Sequence, residues 1–335
     1  MSGRHVPYYL RPNKHVDRQI FIEILSYINR WIDLSKYLYI SMGGKFLEDH
    51  KAIHSALSIK KLMSIECDQT TFERQRFNRP LSLIDCRKMD SGELIQKIDD
   101  ILEEKEARNY IVWLDYASAK NRQGQIQEVE TVASKMSAND VLKVTLNASI
   151  KTLGNKEDFD STDDFQTHAL KKAKNKLGRY FPGHTPQTSE MTDEGFARII
   201  SQAAKTAILN GLRGSRDLTF QPLGQFRYND GFHSMFTLTG IILKRIEESE
   251  FIEKSGIEDF ELTAKDWHVV SEIALPDLSL RERMAIDVDI YSSLPDEIHK
   301  RLPFKFDEDD ERSLDILKRY IKHYKRYPNF VRAVL

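Results

Sequence analysis

Short apolar runs and amphipathic segments follow one another along this chain in a regular order. The first amphipathic segment, 16–36, has isoleucine and leucine at helical spacing, which predicts a leading helix. Apolar runs typical of strands follow at 37–41, 61–66, 81–85, 110–115 and 141–148. Segments with helical periodicity separate them, at 46–57, 69–77, 91–107 and 123–136.

The five strand-like runs are apolar nearly throughout, whereas a half-exposed strand would alternate apolar and polar residues. Continuous apolar runs are typical of parallel strands that are buried on both faces. Because helices alternate with the strands and crossovers are right-handed, the order predicts a doubly wound α/β fold with a mostly parallel sheet.

After the fifth strand the pattern changes. An acidic segment at 154–165 reads as a loop, and two helical segments follow within 167–212. Two β-rich runs within 218–243 then meet at Asn229-Asp230-Gly231, a tight-turn signal that predicts a late antiparallel hairpin. The remaining segment, 246–335, is mostly helical in pattern.

This order of elements resembles the class I (Rossmann-like) methyltransferase fold, in which parallel strands are followed by an antiparallel pair inserted into the same sheet. The resemblance covers 35–245, with 154–212 as a helical insert. It leaves 1–34 and 246–335 as helical N-terminal and C-terminal extensions. The resemblance implies S-adenosylmethionine as the cofactor and methyl transfer as the reaction.

The loop after the first strand carries the glycines that such a cofactor needs. In the resembled fold this loop passes beneath S-adenosylmethionine, which implies cofactor contacts from Ser41, Met42, Gly43 and Gly44. The adjacent glycines depart from the G-x-G spacing usual in the fold. A tight strand-to-helix turn is the alternative interpretation.

Acidic residues follow the second and third predicted strands. Glu66 ends the second strand, where a carboxylate accepts hydrogen bonds from ribose hydroxyls in Rossmann-type sites. Asp68 is better suited to capping the next helix. The resemblance implies an adenine contact just past the third strand, for which Asp85, Cys86 and Asp90 are candidates. We select Asp85, because Asp90 is better suited to capping the next helix.

Asp115 and Tyr116 end the fourth predicted strand, at the sheet edge where open α/β folds bind ligands. The resemblance implies that this position faces both cofactor and substrate, so both residues are candidate catalytic residues. Asp115 could accept a proton from the methyl acceptor, and Tyr116 could stack on a flat substrate or simply pack in the core. No proline follows Asp115, in contrast to the signature of enzymes that methylate amino groups of nucleic acids.

His50 and His54 lie four residues apart on one predicted helix, a spacing that can bind a metal. No third ligand is evident, so we predict no metal site. A buried histidine pair or a polar edge facing the substrate is the alternative.

Composition narrows the classes of partner. The chain has 335 residues, of which 50 are Lys or Arg and 51 are Asp or Glu, so no overall basic excess points to nucleic acid. Basic segments with aromatic residues at 4–15, 171–181 and 318–332 nevertheless suit phosphate and base contacts, so a nucleic acid is one predicted partner. Solvated helix faces with inward-packing tyrosines are the alternative. The extensions predict a protein partner or a homo-oligomer.

Cysteine content and hydropathy bear on location. Cys67 and Cys86 are the only cysteines, and we read them as small core residues in a reducing compartment. No signal-like segment begins the chain, and no apolar run is long enough for a spanning helix. We therefore expect a cytoplasmic protein with no membrane contact.

Two functions remain open at this stage, and a third, a nicotinamide-dependent oxidoreductase, fits the glycine pattern and the late hairpin less well. The first is S-adenosylmethionine-dependent methyl transfer, with a nucleic acid or a nucleotide as one acceptor class. The second is a catalytically inactive, methyltransferase-like binding or sensor subunit that acts with a protein partner. The atypical glycine loop and the missing proline favour the second, whereas Glu66 favours retained cofactor binding and hence the first.

Overall fold

The computed structural model describes residues 11–184, 186–264 and 266–328, and a single mixed sheet is its central feature. Its strands are β1 (Leu38–Ser41), β2 (Lys61–Glu66), β3 (Ile84–Lys88), β4 (Tyr110–Tyr116), β5 (Val141–Asn147), β6 (Leu218–Asp230), β7 (His233–Lys244) and β8 (Ser271–Ile273). Their spatial order is β3-β2-β1-β4-β5-β7-β6-β8. Only β7 runs antiparallel to its neighbours β5 and β6. The predicted α/β fold, with a late hairpin inserted into a parallel sheet, is confirmed.

Helices cover both faces of this sheet. They are α1 (Pro12–Trp31), α2 (Glu48–Leu57), α3 (Gln69–Asn78), α4 (Ser91–Glu104), α5 (Arg122–Lys135), α6 (Thr162–Leu177), α7 (Asp193–Gly211), α8 (Glu248–Ser255), α9 (Leu280–Asp287), α10 (Pro295–Arg301) and α11 (Asp310–His323). One apolar core joins the sheet to α4–α7, and a second joins the other face to α1, α2 and α8. Burial of these two cores is the main driving force for the fold.

Strand alternation assigns side chains to the two cores. Tyr39 and Trp113 pack on the α1 side, whereas Ile40 and Leu114, the next residue on each strand, pack on the α4–α7 side. The predicted capping roles are confirmed, because Asp68 accepts the backbone N–H of Thr71 at the start of α3. Asp90 caps α4 in the same way.

The third strand differs from the prediction. Residues 81–83 form a turn in which the N–H of Ile84 donates to the carbonyl of Leu81, and β3 runs from Ile84 to Lys88. The run "LSL" thus precedes the strand, and the less apolar "IDCRK" pairs with β2. Pairing with β2 overrides the weak local preference of these residues for a strand.

The C-terminal region contains a strand as well as helices. The short β8 pairs in parallel with β6 at the sheet edge, in a region for which the sequence predicts mostly helices and no particular strand. Beyond it, α9–α11 surround a small separate core of Ile286, Ile298, Leu317 and Tyr320. Arg326 connects this unit to α1, because its Nε and Nη2 donate to Oε1 and Oε2 of Glu23, at 2.6 and 2.7 Å.

Two further sequence expectations bear on the described residues. Cys67 is exposed, not buried, because it follows the end of β2. No helix within the described ranges combines the length and the apolar character that crossing a membrane requires.

Candidate functional site

The register of the central strands brings three chain segments together at the carboxyl edge of the sheet. Ser41, the last residue of β1, is aligned with Ser64 on one side and with Trp113 on the other. Glu66 and Asp115 therefore each extend two residues beyond the end of β1. With strands about 4.8 Å apart, these two carboxylates flank the loop that follows β1.

This loop begins with Ser41, Met42, Gly43 and Gly44, and its backbone approaches α2 closely. A Cβ added at Gly43 would lie 2.8 Å from Cε1 of His50, so the position admits only glycine without rearrangement. Gly44 has a φ of +52°, in the left-handed region that favours glycine. The N–H of Gly43 donates to Oγ of Ser64 at 3.2 Å, which fastens the loop to β2.

A buried carboxylate on α2 supports the loop from below. Asp49 accepts hydrogen bonds from the hydroxyls of Tyr39, at 2.8 Å, and Ser41. Burial alone would raise the pKa of Asp49, but His50 and Arg18, together with the Ser41 hydrogen bond, hold this pKa below its usual range. Asp49 therefore stays ionised and fixes the orientation of Ser41.

Glu66 lies half-exposed at the predicted position, at the carboxyl end of β2. Its Oε1 accepts the backbone N–H of Asp68 at 2.9 Å, which turns the chain out of the sheet. Glu66 follows Ile65 of the α4–α7 core, so by alternation it lies on the same face as Ser41 and Asp115.

Asp85 does not lie at this edge. The shift of β3 makes Asp85 the second residue of its strand, aligned with Met63 in the middle of β2. Its carboxylate contacts Arg87 at 2.8 Å and Lys105, which follows α4, at 2.7 Å. The expectation that the third strand ends at Asp85 is therefore wrong, because β3 ends at Lys88, and the contact of Asp85 with adenine stays a prediction.

Asp115 is held by the first turn of α1. Nζ of Lys14 lies 2.7 Å from Oδ2 of Asp115, and the Asp115 side chain keeps 11% of its surface exposed. Its other oxygen, Oδ1, is buried and has no hydrogen-bond partner within the described residues. One carboxylate oxygen is thus engaged and the other is available to a donor.

Tyr116 points to the opposite face of the sheet from Asp115, since the two are neighbours on one strand. Its hydroxyl donates to Oε2 of Glu128 on α5. Burial raises the pKa of Tyr116, and the Glu128 carboxylate raises it further. Tyr116 therefore has the packing role that the sequence left open as the alternative.

The first turn of α1 spans the far half of the edge through polar contacts. Arg11 pairs with Asp230 at the tip of the β6–β7 hairpin. Asn13 donates to the carbonyl of Asn229 and accepts the N–H of Leu275. This turn covers the edge from β4 to β6.

Beneath α1 lies a group of buried polar side chains. Lys143 of β5 donates to Oδ1 of Asp17 and to the hydroxyl of Thr237, each at 2.9 Å. Tyr228 of β6 is fully buried on the same side of the sheet. Oδ2 of Asp17 and the Tyr228 hydroxyl have no hydrogen-bond partner in the part of the chain that the structure describes.

The two histidines on α2 each use a ring nitrogen for a structural hydrogen bond. Nε2 of His50 donates to the carbonyl of Met63 at 2.9 Å, and Nδ1 of His54 donates to the carbonyl of Ile59 at 2.8 Å. Among the described residues there is no group of three or more side chains able to hold a metal ion.

Sequence reasoning missed Lys14, Asp49 and Tyr228. Asp49 had a local signal, because it follows the glycine loop and lies in the first turn of α2. Lys14 and Tyr228 had none, since their places depend on how α1 and β6 pack.

The sheet order, with β7 inserted between β5 and β6, and the glycine loop at the end of β1 define a class I methyltransferase. The chain belongs to the family described as "Putative O-methyltransferase", which it matches over residues 6–335. The predictions of a methyltransferase and of S-adenosylmethionine as its methyl donor are thereby confirmed. No curated protein matches the chain.

Solved structures give distant likenesses. The plantazolicin methyltransferase BpumL, in complex with a triazolic desmethylPZN analog and SAH, is 9% identical, with a TM-score of 0.40, and the match covers 72% of this chain and 87% of that one. An S-adenosylmethionine-dependent methyltransferase from Anabaena variabilis is 10% identical, with a TM-score of 0.37 and coverages of 70% and 87%. The N-methyltransferase NodS from Bradyrhizobium japonicum is 8% identical, with a TM-score of 0.34 and coverages of 68% and 97%. Because these scores are low, the family match identifies the class.

Several side chains of the basic and aromatic segments make internal contacts. In the C-terminal segment, the hydroxyl of Tyr320 donates to Asp287 and Arg326 pairs with Glu23. In the middle segment, Tyr180 is buried and Arg179 contacts Glu130. Residues 4–10 and 329–332 of the terminal segments lie outside the described residues.

Proposed function

We propose that this protein transfers the methyl group of S-adenosylmethionine to an oxygen atom of a small molecule at the carboxyl edge of its sheet. One observation carries the proposal, namely that Glu66 and Asp115 flank the glycine loop on either side of β1. The β1–β2 half would hold the cofactor, and the half from β4 to β6 would hold the acceptor.

The residues of the first half fit the adenosyl cofactor. The tight approach of Gly43 to α2 fixes the backbone of this loop, and a loop with two adjacent glycines suits close contact with the cofactor. Ser41, Met42, Gly43 and Gly44 would line its methionine and ribose portion. Glu66 would accept the ribose hydroxyls. Asp85 is not part of this proposal.

When bound, the cofactor supplies an activated methyl group, so the protein has to align the acceptor, exclude water and manage one proton. Asp115 is suited to the proton because Lys14 engages one of its oxygens and leaves the other available. The cover that α1 provides over the edge would limit the access of water.

The family description supports an oxygen acceptor. A nucleic-acid acceptor stays a prediction. A protein partner or a second copy of the chain, and a cytoplasmic location, also stay predictions. The internal contacts of Tyr320, Tyr180 and Arg326 weigh against nucleic acid, because these side chains are already engaged. Nothing in the site favours the inactive sensor over the enzyme.

Calorimetric titration with S-adenosylmethionine and S-adenosylhomocysteine tests the cofactor half. We expect micromolar binding by the wild type and a loss of at least about tenfold in Glu66→Ala, which corresponds to about 1.4 kcal/mol. Glu73→Ala, which removes an exposed carboxylate from α3, is the matched control and should bind as the wild type does. No heat and no thermal shift with either ligand would contradict the proposal.

A further inference from the structure

We propose that the methyl acceptor is the hydroxyl group of an alcohol or a phenol, held between Oδ1 of Asp115 and the hydroxyl of Tyr228. This inference rests on the proposed function and deepens it by naming the acceptor class and a second residue that contacts it.

Buried polar atoms without partners are the first observation. Leaving a buried polar atom unpaired destabilises the folded state, and native structures contain few such atoms. Three lie on the α1 side of the sheet, namely Oδ1 of Asp115, the hydroxyl of Tyr228 and Oδ2 of Asp17. Such a group calls for a polar occupant that none of the described residues supplies.

The strand register places Asp115 and Tyr228 toward the same edge and on the same face, on β4 and β6 with β5 and β7 between them. Asp115 is aligned with Thr145 of β5, which is aligned with Thr237 of β7. Tyr228 lies two residues further along β6 from the partner of Thr237, on the same face and toward the same edge. The Asp17 and Asp115 carboxylates raise the pKa of Tyr228 beyond the effect of its burial, so these charges act on its hydroxyl.

The chemistry of these atoms selects a hydroxyl occupant. Oδ1 of a carboxylate only accepts hydrogen bonds, whereas the neutral Tyr228 hydroxyl can donate one. A single O–H group satisfies both, because it donates to Asp115 and accepts from Tyr228.

A carboxylate acceptor suits the site poorly. It has no proton to donate to Asp115 at neutral pH, and its charge would add to those of Asp17 and Asp115. The nearby cations are already paired, Lys14 and Lys143 with these two aspartates, Arg11 with Asp230 and Arg18 with Glu48. An amine would be held in its protonated form by the carboxylates, and that form is not a nucleophile.

The reaction balances with the groups named. The acceptor oxygen forms a bond to the methyl carbon as the bond from that carbon to the sulfonium sulfur breaks and leaves its electron pair on sulfur. The hydroxyl proton passes to Oδ1 of Asp115. Tyr228 keeps its own proton and orients the acceptor oxygen. Entry of the acceptor requires the first turn of α1 to move outward, and the contacts that hold this turn at the edge are polar.

The first test uses variants that remove single groups. Purified protein is incubated with carbon-13-methyl S-adenosylmethionine and a filtered small-molecule extract of the organism that encodes the chain. Asp115→Asn should lower the initial rate by about 100-fold or more, the usual scale for loss of a general base. Tyr228→Phe should lower it by about tenfold, with cofactor affinity unchanged by calorimetry.

The controls separate these roles from packing. Tyr110→Phe removes the hydroxyl of another buried tyrosine, at the opposite end of β4, and should leave the rate unchanged. If the Tyr228 hydroxyl contacts only protein or water, Tyr228→Phe will keep the wild-type rate, and that result would overturn its assigned role.

The second test identifies the product. The carbon-13 shift and the response to alkali distinguish a methyl ether, which is stable to alkali, from a methyl ester, which is hydrolysed, and from an N-methyl amine. We expect an ether. An ester or an N-methyl product would overturn the acceptor class while leaving methyl transfer intact. No labelled product despite cofactor binding would contradict the proposed function itself.

Discussion

At Gly43 the backbone passes so close to α2 that an added Cβ would lie 2.8 Å from both Cε1 of His50 and Cδ2 of Leu47. Both neighbours are fully buried, so neither can move without disturbing the core under the loop. The shape of the cofactor loop therefore depends on the absence of one methyl group.

We expect Gly43→Ala to weaken S-adenosylmethionine binding by about tenfold or more and to cost about 1–3 kcal/mol of unfolding free energy through overpacking. Calorimetry and urea unfolding measure the two effects. Gly183→Ala is the control, because a Cβ there meets nothing within 4 Å. Wild-type affinity in Gly43→Ala would show that the loop does not contact the cofactor.

His323, near the end of α11, makes stability depend on pH. It is buried, and neither of its ring nitrogens has a partner within the described residues. Burial, followed by the charges of Lys322 and Arg326, lowers its pKa to about 4. Because the folded pKa lies below the unfolded value of about 6.5, the unfolded state binds the proton more readily as the pH falls through this range.

We therefore expect proton binding by His323 in the unfolded state to lower the unfolding free energy of the wild type by about 2 kcal/mol as the pH falls from 7 to 5. His323→Leu should lack this component, so its stability should fall less over the same range in urea unfolding. His15, whose pKa is also lowered to about 4, contributes in the same direction in both proteins and cancels in the comparison. His184→Leu, at an exposed position, should keep the wild-type slope, and an equal slope in His323→Leu would contradict the assignment.

Among the elements, α1 depends most on buried charge. Nζ of Lys143 and Oδ1 of Asp17 lie 2.9 Å apart, and each side chain is 1% exposed. Lys143 also lies over the rings of Phe21 and Trp113. This pair fixes the register of α1 on the sheet and with it the position of Lys14 against Asp115.

Breaking the pair from one side leaves a buried charge without its partner. We expect Lys143→Met to cost about 3–5 kcal/mol, and the double variant with Asp17→Leu to recover much of that loss. Urea unfolding of the four proteins in the cycle measures the coupling. Equal losses in the single and double variants would mean that packing, and not the ion pair, holds α1.

The elements also explain what the sequence could predict. Glu66 and the glycine loop were recoverable because parallel strands place their carboxyl ends at one edge. Asp85 was misplaced because the strand preference of "LSLID" yielded to pairing with β2, and β8 is too short to give a periodic signal. Lys14 could not be predicted because it is 101 residues from Asp115 and meets it only through the packing of α1.

At the scale of the whole molecule, α9–α11 form a unit with its own core. By contrast, Phe251, Phe260 and Ile273, which precede this unit in the chain, belong to the core beneath α1. The residues after β7 thus divide into a part that completes the sheet domain and a part that is attached to it.

A chain ending at residue 275 should therefore keep cooperative unfolding and bind S-adenosylmethionine, with some loss of stability from the missing Arg326–Glu23 contact. A chain ending at residue 244 should not fold, because it also lacks the three core residues named above. Circular dichroism melting and calorimetry distinguish the two. A non-cooperative 1–275 chain would show that α9–α11 are integral to the domain.

The position of α1 also governs how the chain folds during synthesis. This helix is synthesised before the strands on which it packs. Lys143 follows its partner Asp17 on α1 by 126 residues, and Asp230 follows its partner Arg11, just before α1, by 219 residues. At a synthesis rate of 5–20 residues per second, the apolar face of α1 stays uncovered for roughly 10–40 s until the later strands are made. An amphipathic helix left uncovered for that time is a binding site for chaperones at the ribosome. Because contacts this distant in sequence form slowly, the docking of α1 should be a late step in folding.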